Sequence, residues 1–307
     1  MKYIHGVEEF QLERPAAVTL GKFDGVHMGH QKLIEIVEEK ARQNHLLAAA
    51  YTFDRIPLSI CPQSNQHFIT TNSERRLIME QLGLDVEIEY PFTQELMDTE
   101  PEDFIKNIII GQLKAKYVVV GTDYHFGKNR MGNAQMLVEK GPEYGFETIV
   151  VEKEKYQDRE ISSTYVREEL KLGHMETVNV LLDRPYSIRG IVSYGMQLGR
   201  KLNIPTLNIY PPDSKMLPPN GVYASVTVMD GKEYYGVTNL GTKPTVSNSP
   251  SVSVETNLFD YSGDAYGKQI EVKLMHFLRQ EMKFDGVEAL KKQMESDANF
   301  ARDMFLL

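Results

Sequence analysis

The chain has 307 residues, enough for two ordinary domains with a core each. Aliphatic and aromatic residues make up 41% and charged residues 25%, the proportions of a soluble globular protein rather than a disordered or fibrous one. A net charge of −9, from 34 basic and 43 acidic side chains, argues against nucleic-acid partners, which need a broad basic face, and still allows a local pocket for one nucleotide. Cys61 is the single cysteine, which excludes a disulfide framework and a cysteine-rich zinc site and fits a reducing, cytoplasmic compartment. Met1 to Phe10 has Glu8 and Glu9 and no apolar signal core, and no run approaches the roughly 20 apolar residues of a membrane span. No membrane partner is expected, and nothing in the sequence indicates an oligomer.

From Ala16 to about Asp183 short apolar runs alternate with helical stretches. Strands are expected at Ala17 to Leu20, Leu46 to Phe53, Val86 to Tyr90, Tyr117 to Gly121 and Phe146 to Val151, with helices beginning near His30, Ser73, Pro101, Asn133 and Ser163. Leu33, Ile34 and Val37 fall opposite Glu35, Glu38 and Glu39, the stripe of a helix packed on a sheet. This alternation predicts an α/β, doubly wound parallel-sheet domain over residues 1–183, with ligands at the carboxyl ends of the strands. After Arg184-Pro185 glycine and proline become frequent. Tyr186 to Ser193, Val222 to Met229, Glu233 to Asn239, Val252 to Phe259 and Gln269 to Phe277 read as strands, with Asp230-Gly231 a tight hairpin. Residues 184–307 are therefore expected to form a small antiparallel barrel with a terminal helix over Gly286 to Met304.

Gly21-Lys-Phe-Asp-Gly-Val-His27-Met-Gly-His30 lies between a predicted strand and a predicted helix, so its amides and the helix dipole form an anion site. Gly21, Gly25 and Gly29 let the backbone approach a phosphate, and His27 and His30 share one side of the first helical turn. Two imidazoles there can donate to the oxygens that gain charge during adenylyl transfer, without an enzyme nucleophile. Taken alone, two histidines at a helix start are ordinary polar residues and the glycines a simple turn. Downstream, Ile161-Ser162-Ser163-Thr164-Tyr-Val-Arg167 opens another helix and can hold the β- and γ-phosphates of ATP, or can be plain capping beside a solvated arginine. Between them Gly121-Thr-Asp123-Tyr-His-Phe126-Gly is a loop at a strand end, and Lys128 to Met131 read as a glycine-rich surface loop.

The second half carries Gly195-Met-Gln-Leu-Gly199-Arg200-Lys-Leu-Asn-Ile-Pro205-Thr206-Leu-Asn208. Its glycines can fold over a nucleotide, and Thr206 and Asn208, on one face of an extended strand, offer oxygens to a magnesium ion on ATP. They can equally be buried groups satisfying the backbone. In Val252-Ser-Val254-Glu255 alternation separates Glu255 from the valines, where its carboxylate can take the proton of an attacking hydroxyl, or simply be solvated.

These motifs, in this order, resemble those of prokaryotic bifunctional riboflavin kinase/FAD synthetases over nearly the whole chain. The decapeptide at Gly21 resembles the flavin branch of the nucleotidylyltransferases, and Pro205-Thr206-Leu-Asn208 the kinase Pro-Thr-Ala-Asn. The resemblance implies two coupled activities: riboflavin and ATP give FMN in the C-terminal domain, and FMN and ATP give FAD and pyrophosphate in the N-terminal domain. By the same resemblance His27, His30 and Glu255 are catalytic. Gly21, Phe23, Asp24, Gly25, Gly29, Ser162, Ser163, Thr164 and Arg167 bind ATP for adenylyl transfer, and Asp123 and Phe126 bind FMN. Gly195, Gly199, Arg200, Pro205 and Thr206 bind the kinase's ATP, Thr206 and Asn208 its Mg2+, and Arg279 a flavin or phosphate.

Three positions depart from the family pattern. Asp54-Arg-Ile56-Pro57 follows Thr52-Phe53 where Thr-Phe-x-Pro-His-Pro is usual, Met196 replaces an aspartate or asparagine, and Asn203 replaces a glycine. The last two fall in the kinase nucleotide loop, so the alternative is an FMN adenylyltransferase whose C-terminal module is weakened or only binds flavin. An adenylyltransferase for another phosphorylated acceptor is opposed by Thr206, Asn208 and Glu255. A class I aminoacyl-tRNA synthetase relative is opposed by the acidic charge and the lack of a lysine-rich partner loop. A non-enzymatic flavin-binding regulator is opposed by retention of both histidines and Glu255.

Overall fold

The computed structural model describes residues 1–54, 67–194, 205–243 and 251–307. The chain divides into two compact units, Met1–Ser163 and Thr164–Leu307.

In the first unit the elements run β1 (Lys2–His5), β2 (Ala16–Leu20), α1 (Met28–Asn44), β3 (Leu47–Phe53), α2 (Asn72–Gln81), β4 (Val86–Tyr90), α3 (Gln94–Asp98) and α4 (Pro101–Asp103). The last of these runs on as the π-helical segment Phe104–Gln112, followed by β5 (Ala115–Gly121), β6 (His125–Phe126), β7 (Gly132–Asn133), α5 (Ala134–Tyr144), β8 (Glu147–Val151), β9 (Lys155–Tyr156) and β10 (Arg159–Glu160). Six strands pair in parallel in the order β1-β4-β3-β2-β5-β8. Every residue of β2 and β4 is buried, as strands covered on both faces must be. Leu33, Ile34, Val37 and Ala41 of α1 pack on one face beside Ala17, Ala50 and Val119; Val18, Tyr51, Ile88 and Phe104 fill the other. The chain order reverses between β2 and β5, so the sheet opens a crevice at their carboxyl ends.

α2 starts in a reciprocal capping box: Thr71 accepts from the Glu74 amide, and Glu74 accepts from the Thr71 amide. Such a cap contributes about 1 kcal/mol. Strand β1, which the sequence pattern does not signal, is a four-residue edge strand whose ends, Lys2 and His5, are exposed.

The second unit contains α6 (Ser163–Leu172, its first residue in the other unit), α7 (Met175–Leu182), β11 (Tyr186–Ile191), β12 (Leu207–Ile209), β13 (Gly221–Met229), β14 (Lys232–Lys243), β15 (Ser251–Leu258), β16 (Gln269–Arg279) and α8 (Val287–Phe305). The helix expected to begin near Ser163 is α6, and it is parted from α7 at Gly173, whose φ is +76°. α7 docks on the sheet through Asn179, which donates to the Leu274 carbonyl and accepts from the Tyr186 amide. All strand pairs are antiparallel, in the order β11-β16-β13-β14-β15-β12. Among the described residues the edges meet at one bridge, where the Ser193 amide donates to the Asn208 carbonyl at 2.8 Å, closing the barrel. The β13–β14 turn is the expected one, with Asp230 and Gly231 both at positive φ. Hydroxyls of Ser225, Thr238 and Thr256 form a buried chain with 2.8 Å links, so these interior polar groups satisfy one another. α8 covers the outer face at Val237 and Phe259 through Ala301 and Phe305. None of the described helices is long and apolar enough to cross a membrane.

Candidate active sites

The decapeptide leaves β2 at Gly21 and enters α1 through a tight turn in which Phe23 (φ +50°), Gly25 (+85°) and Val26 (+40°) are all left-handed. For Phe23 and the β-branched Val26 this is a strained conformation, held by surrounding contacts. Phe23 is wholly buried. The Asp24 carboxylate accepts from the amides of Ile69 (2.9 Å) and Thr70 (3.4 Å), the Gly25 amide donates to the Thr70 hydroxyl, and Gln31 donates to the Val26 carbonyl. Asp24 and Gly25, expected among the ATP contacts, thus brace the turn and do not line the cavity beside it.

His27 is the N-cap residue of α1 and is buried. Its ring stacks on His30, centroids 3.7 Å apart and planes 18° apart, and the edge of Phe23 meets His30 at 5.1 Å. A Cβ on Gly29 would come within 3.3 Å of the His27 ring, so glycine gives that imidazole its room. The Ser163 hydroxyl donates to the Asp24 carbonyl at 2.8 Å, joining motifs 139 residues apart in sequence. Thr164 and Arg167 follow within α6 and group with the second unit.

A cavity of about 610 Å³ opens at the β2–β5 crevice, and Thr164 and Arg167 are not among the residues that line it. Gly21, Phe23, His27, Gly29, His30, Ser162 and Ser163 line it, and so do Asp123 and Phe126. Phe126 is buried against Phe104 and Tyr124. Asp123 is exposed and pairs with Lys153 at 3.0 Å; Lys153 also pairs with Glu160 at 3.1 Å, and the two carboxylates hold its ammonium above its usual range. Phe53, Phe92, Phe104, Arg130 and Lys153 line the cavity without having been picked out in the sequence. Phe53, which ends β3, and Phe92, two residues beyond β4, meet edge to face at 5.4 Å; their place at strand ends was the available signal. The size and aromatic walls suit a planar heterocycle, and the paired imidazoles suit a phosphoryl group.

In the second unit, strand register brings the candidate residues together. Asn208 of β12 is the direct partner of Glu255 in β15, and Glu255 is the direct partner of Asn239 in β14. Side chains directly opposite in an antiparallel sheet share a face, so the three form a row. Asn208 is 5% exposed, and its Oδ1 has no hydrogen-bond partner among the described residues. The Ser253 hydroxyl donates to Glu255 at 3.4 Å. Pro205 and Thr206 line a cavity of about 170 Å³ with Val192, Leu258, Tyr261 and Tyr266. Asn257 donates to the Pro205 carbonyl at 2.9 Å, fixing the entry to β12. Arg279 is engaged by Asp297 of α8, with Nε and Nη2 both donating to the carboxylate. Gly195, Gly199 and Arg200, with Met196 and Asn203, lie outside the described residues.

The FAD synthetase family model matches residues 9–165, and the riboflavin kinase family model matches residues 182–305. The bifunctional riboflavin kinase/FMN adenylyltransferase of Bacillus subtilis (strain 168) is 35% identical over 97% of this chain and 96% of its own length. The protein of that name from Escherichia coli (strain K12) is 31% identical over 99% and 98%. A crystal structure named Macrolide-efflux Protein from Streptococcus pneumoniae has a TM-score of 0.86 at 27% identity, covering 96% of each chain. With both halves matched in order and relatives aligned end to end, the chain belongs to the bifunctional riboflavin kinase/FMN adenylyltransferase family.

Proposed function

We propose that the chain makes FAD from riboflavin in two ATP-dependent steps, phosphorylation to FMN in residues 184–307 and adenylylation of FMN in residues 1–183. The observation that carries the second step is the stacked His27–His30 pair on the wall of the crevice cavity. An FMN phosphate oxygen attacks the α-phosphorus of ATP as the bond to pyrophosphate breaks. His27 and His30 donate to the oxygens that gain charge. Gly21, Phe23 and Gly29 shape the nucleotide side of the turn, Asp24 and Gly25 support it from behind, and Ser162, Ser163, Thr164 and Arg167 take the departing phosphates. Asp123 and Phe126 face the flavin.

In the kinase, Glu255 accepts the proton of the riboflavin 5′-hydroxyl as that oxygen attacks the γ-phosphorus. Thr206 and Asn208 would hold Mg2+, and the buried Asn208 Oδ1, which has no partner among the described residues, fits a hard cation. When bound, the ion neutralises charge on the ATP phosphates. Gly195, Gly199, Arg200 and Pro205 bind the kinase's ATP, and Arg279 borders the flavin. We place the protein in the cytoplasm, a reading supported by its single cysteine. Incubated with riboflavin, ATP and Mg2+, the protein accumulates FMN and then FAD by chromatography; absence of both products sinks the proposal.

A further inference from the structure

Adenylyl transfer to FMN sets a phosphomonoester, nearly a dianion at neutral pH, against the triphosphate of ATP. Bringing the two together calls for positive charge on the acceptor side as well as around ATP. Three long cationic side chains line the cavity: Lys22, Arg130 and Lys153. Lys153 is already matched by Asp123 and Glu160. Lys22 and Arg130 make no ion pair with a described residue, and of these two only Arg130 carries a planar fork that can take two phosphate oxygens at once.

The backbone around Arg130 is unusual. Asn129 (φ +54°) and Arg130 (φ +58°) are both left-handed, and the turn closes with the Arg130 amide donating to the Gly127 carbonyl at 3.0 Å. Two successive non-glycine residues in that region present the side chain at a conformational cost, as segments at ligand sites often do. The guanidinium approaches one neighbour, His125 Nδ1, at 3.4 Å. That nitrogen lies 2.8 Å from the Asp123 carbonyl oxygen, which only accepts, so Nδ1 carries the ring proton and cannot accept from Arg130. The guanidinium is thus a cation on the cavity wall with no acceptor among the described residues.

We propose that Arg130 holds the phosphate of FMN in the adenylyltransferase site. This rests on the adenylyltransferase reading above. The test is the initial rate of FAD formation by the full chain from supplied FMN and ATP. Lumiflavin, the flavin ring without the ribityl phosphate, serves as an inhibitor competing with FMN. Arg130→Ala raises KM for FMN by about tenfold or more, the effect of losing one charged hydrogen bond. KM for ATP and the inhibition constant of lumiflavin stay at wild-type values, and Arg130→Lys recovers part of the loss. An unchanged KM for FMN, an equal weakening of lumiflavin, or a rise confined to KM for ATP overturns the assignment. A wild-type chain that forms no FAD from FMN removes the adenylyltransferase reading itself, a result distinct from a working enzyme indifferent to Arg130.

Discussion

Asn208 and Glu255 face each other directly across the β12–β15 pair, so the amide that would hold the metal and the carboxylate that would take the proton leave adjacent strands at one level. The metal-bound phosphate and the attacking hydroxyl can then be held side by side by backbone pairing alone. Asn239, opposite Glu255 in β14, flanks the carboxylate on its other side.

Replacing Glu255 by Gln keeps the shape of the row and removes its proton acceptor. Riboflavin phosphorylation then falls by about 100-fold to 10,000-fold. FAD formation from supplied FMN holds at the wild-type rate. Chromatographic assay of the two products separately checks this, and loss of FAD with FMN retained would reverse the assignment of the two units.

The histidine pair is tested at His30 and through Gly29. His30→Ala removes one donor and lowers the rate of FAD formation by about 100-fold to 1,000-fold, with FMN formation retained. In Gly29→Ala the added methyl sits 3.3 Å from the His27 ring and must displace it, yet the position is helical and alanine suits it. FAD formation falls about tenfold or more, while the thermal unfolding temperature does not drop. A variant that is equally active, or inactive only because it is unfolded, contradicts the positioning role of Gly29.

Arg279 and Asp297 separate binding from support. The pair has side-chain exposures of 19% and 8% and ties β16 to α8. Breaking it with Asp297→Ala costs about 2 kcal/mol of stability, less than a fully buried pair because Arg279 retains some water. Denaturant titration reads the loss directly. If Arg279 also borders the flavin, Arg279→Ala raises KM for riboflavin beyond what Asp297→Ala does; equal effects would leave Arg279 as a tether alone.

Much of this was legible in the sequence because it is local. The α1 stripe, the Asp230-Gly231 turn and the decapeptide from Gly21 to His30 each depend on a few consecutive residues, and the elements they predicted are present. Non-local facts were not legible. Alternation sets Glu255 apart from Val252 and Val254, but only strand register makes Asn208 its partner. Asp24 lies within a phosphate-site motif, yet its carboxylate turns to the amides of Ile69 and Thr70, far along the chain. Arg130 reads as loop composition, and its place on the cavity wall follows from a left-handed turn that a non-glycine pair does not advertise.

A buried cluster beneath α2 gives the last prediction. Arg75 donates to Glu87 at 3.0 Å and to Glu89 at 2.7 Å, so one guanidinium serves two carboxylates inside the fold. Glu87 is fully buried, and its Oε2 has no partner among the described residues. Desolvation raises its pKa above the ordinary 4.5, and the nearby Arg75 offsets only part of that. The folded chain therefore holds this proton to higher pH than the unfolded chain. Stability from this group is full below pH 4.5 and falls as pH rises through the raised folded value, because there the unfolded state binds fewer protons. Glu87→Gln keeps the volume and an acceptor for Arg75 but has no proton to release. Its stability relative to wild type should climb steadily with pH above 4.5 and then level off, as read by denaturant titration at a series of pH values. A difference that stays constant across that range would mean that Glu87 is ionised in the fold and that Arg75 compensates both carboxylates.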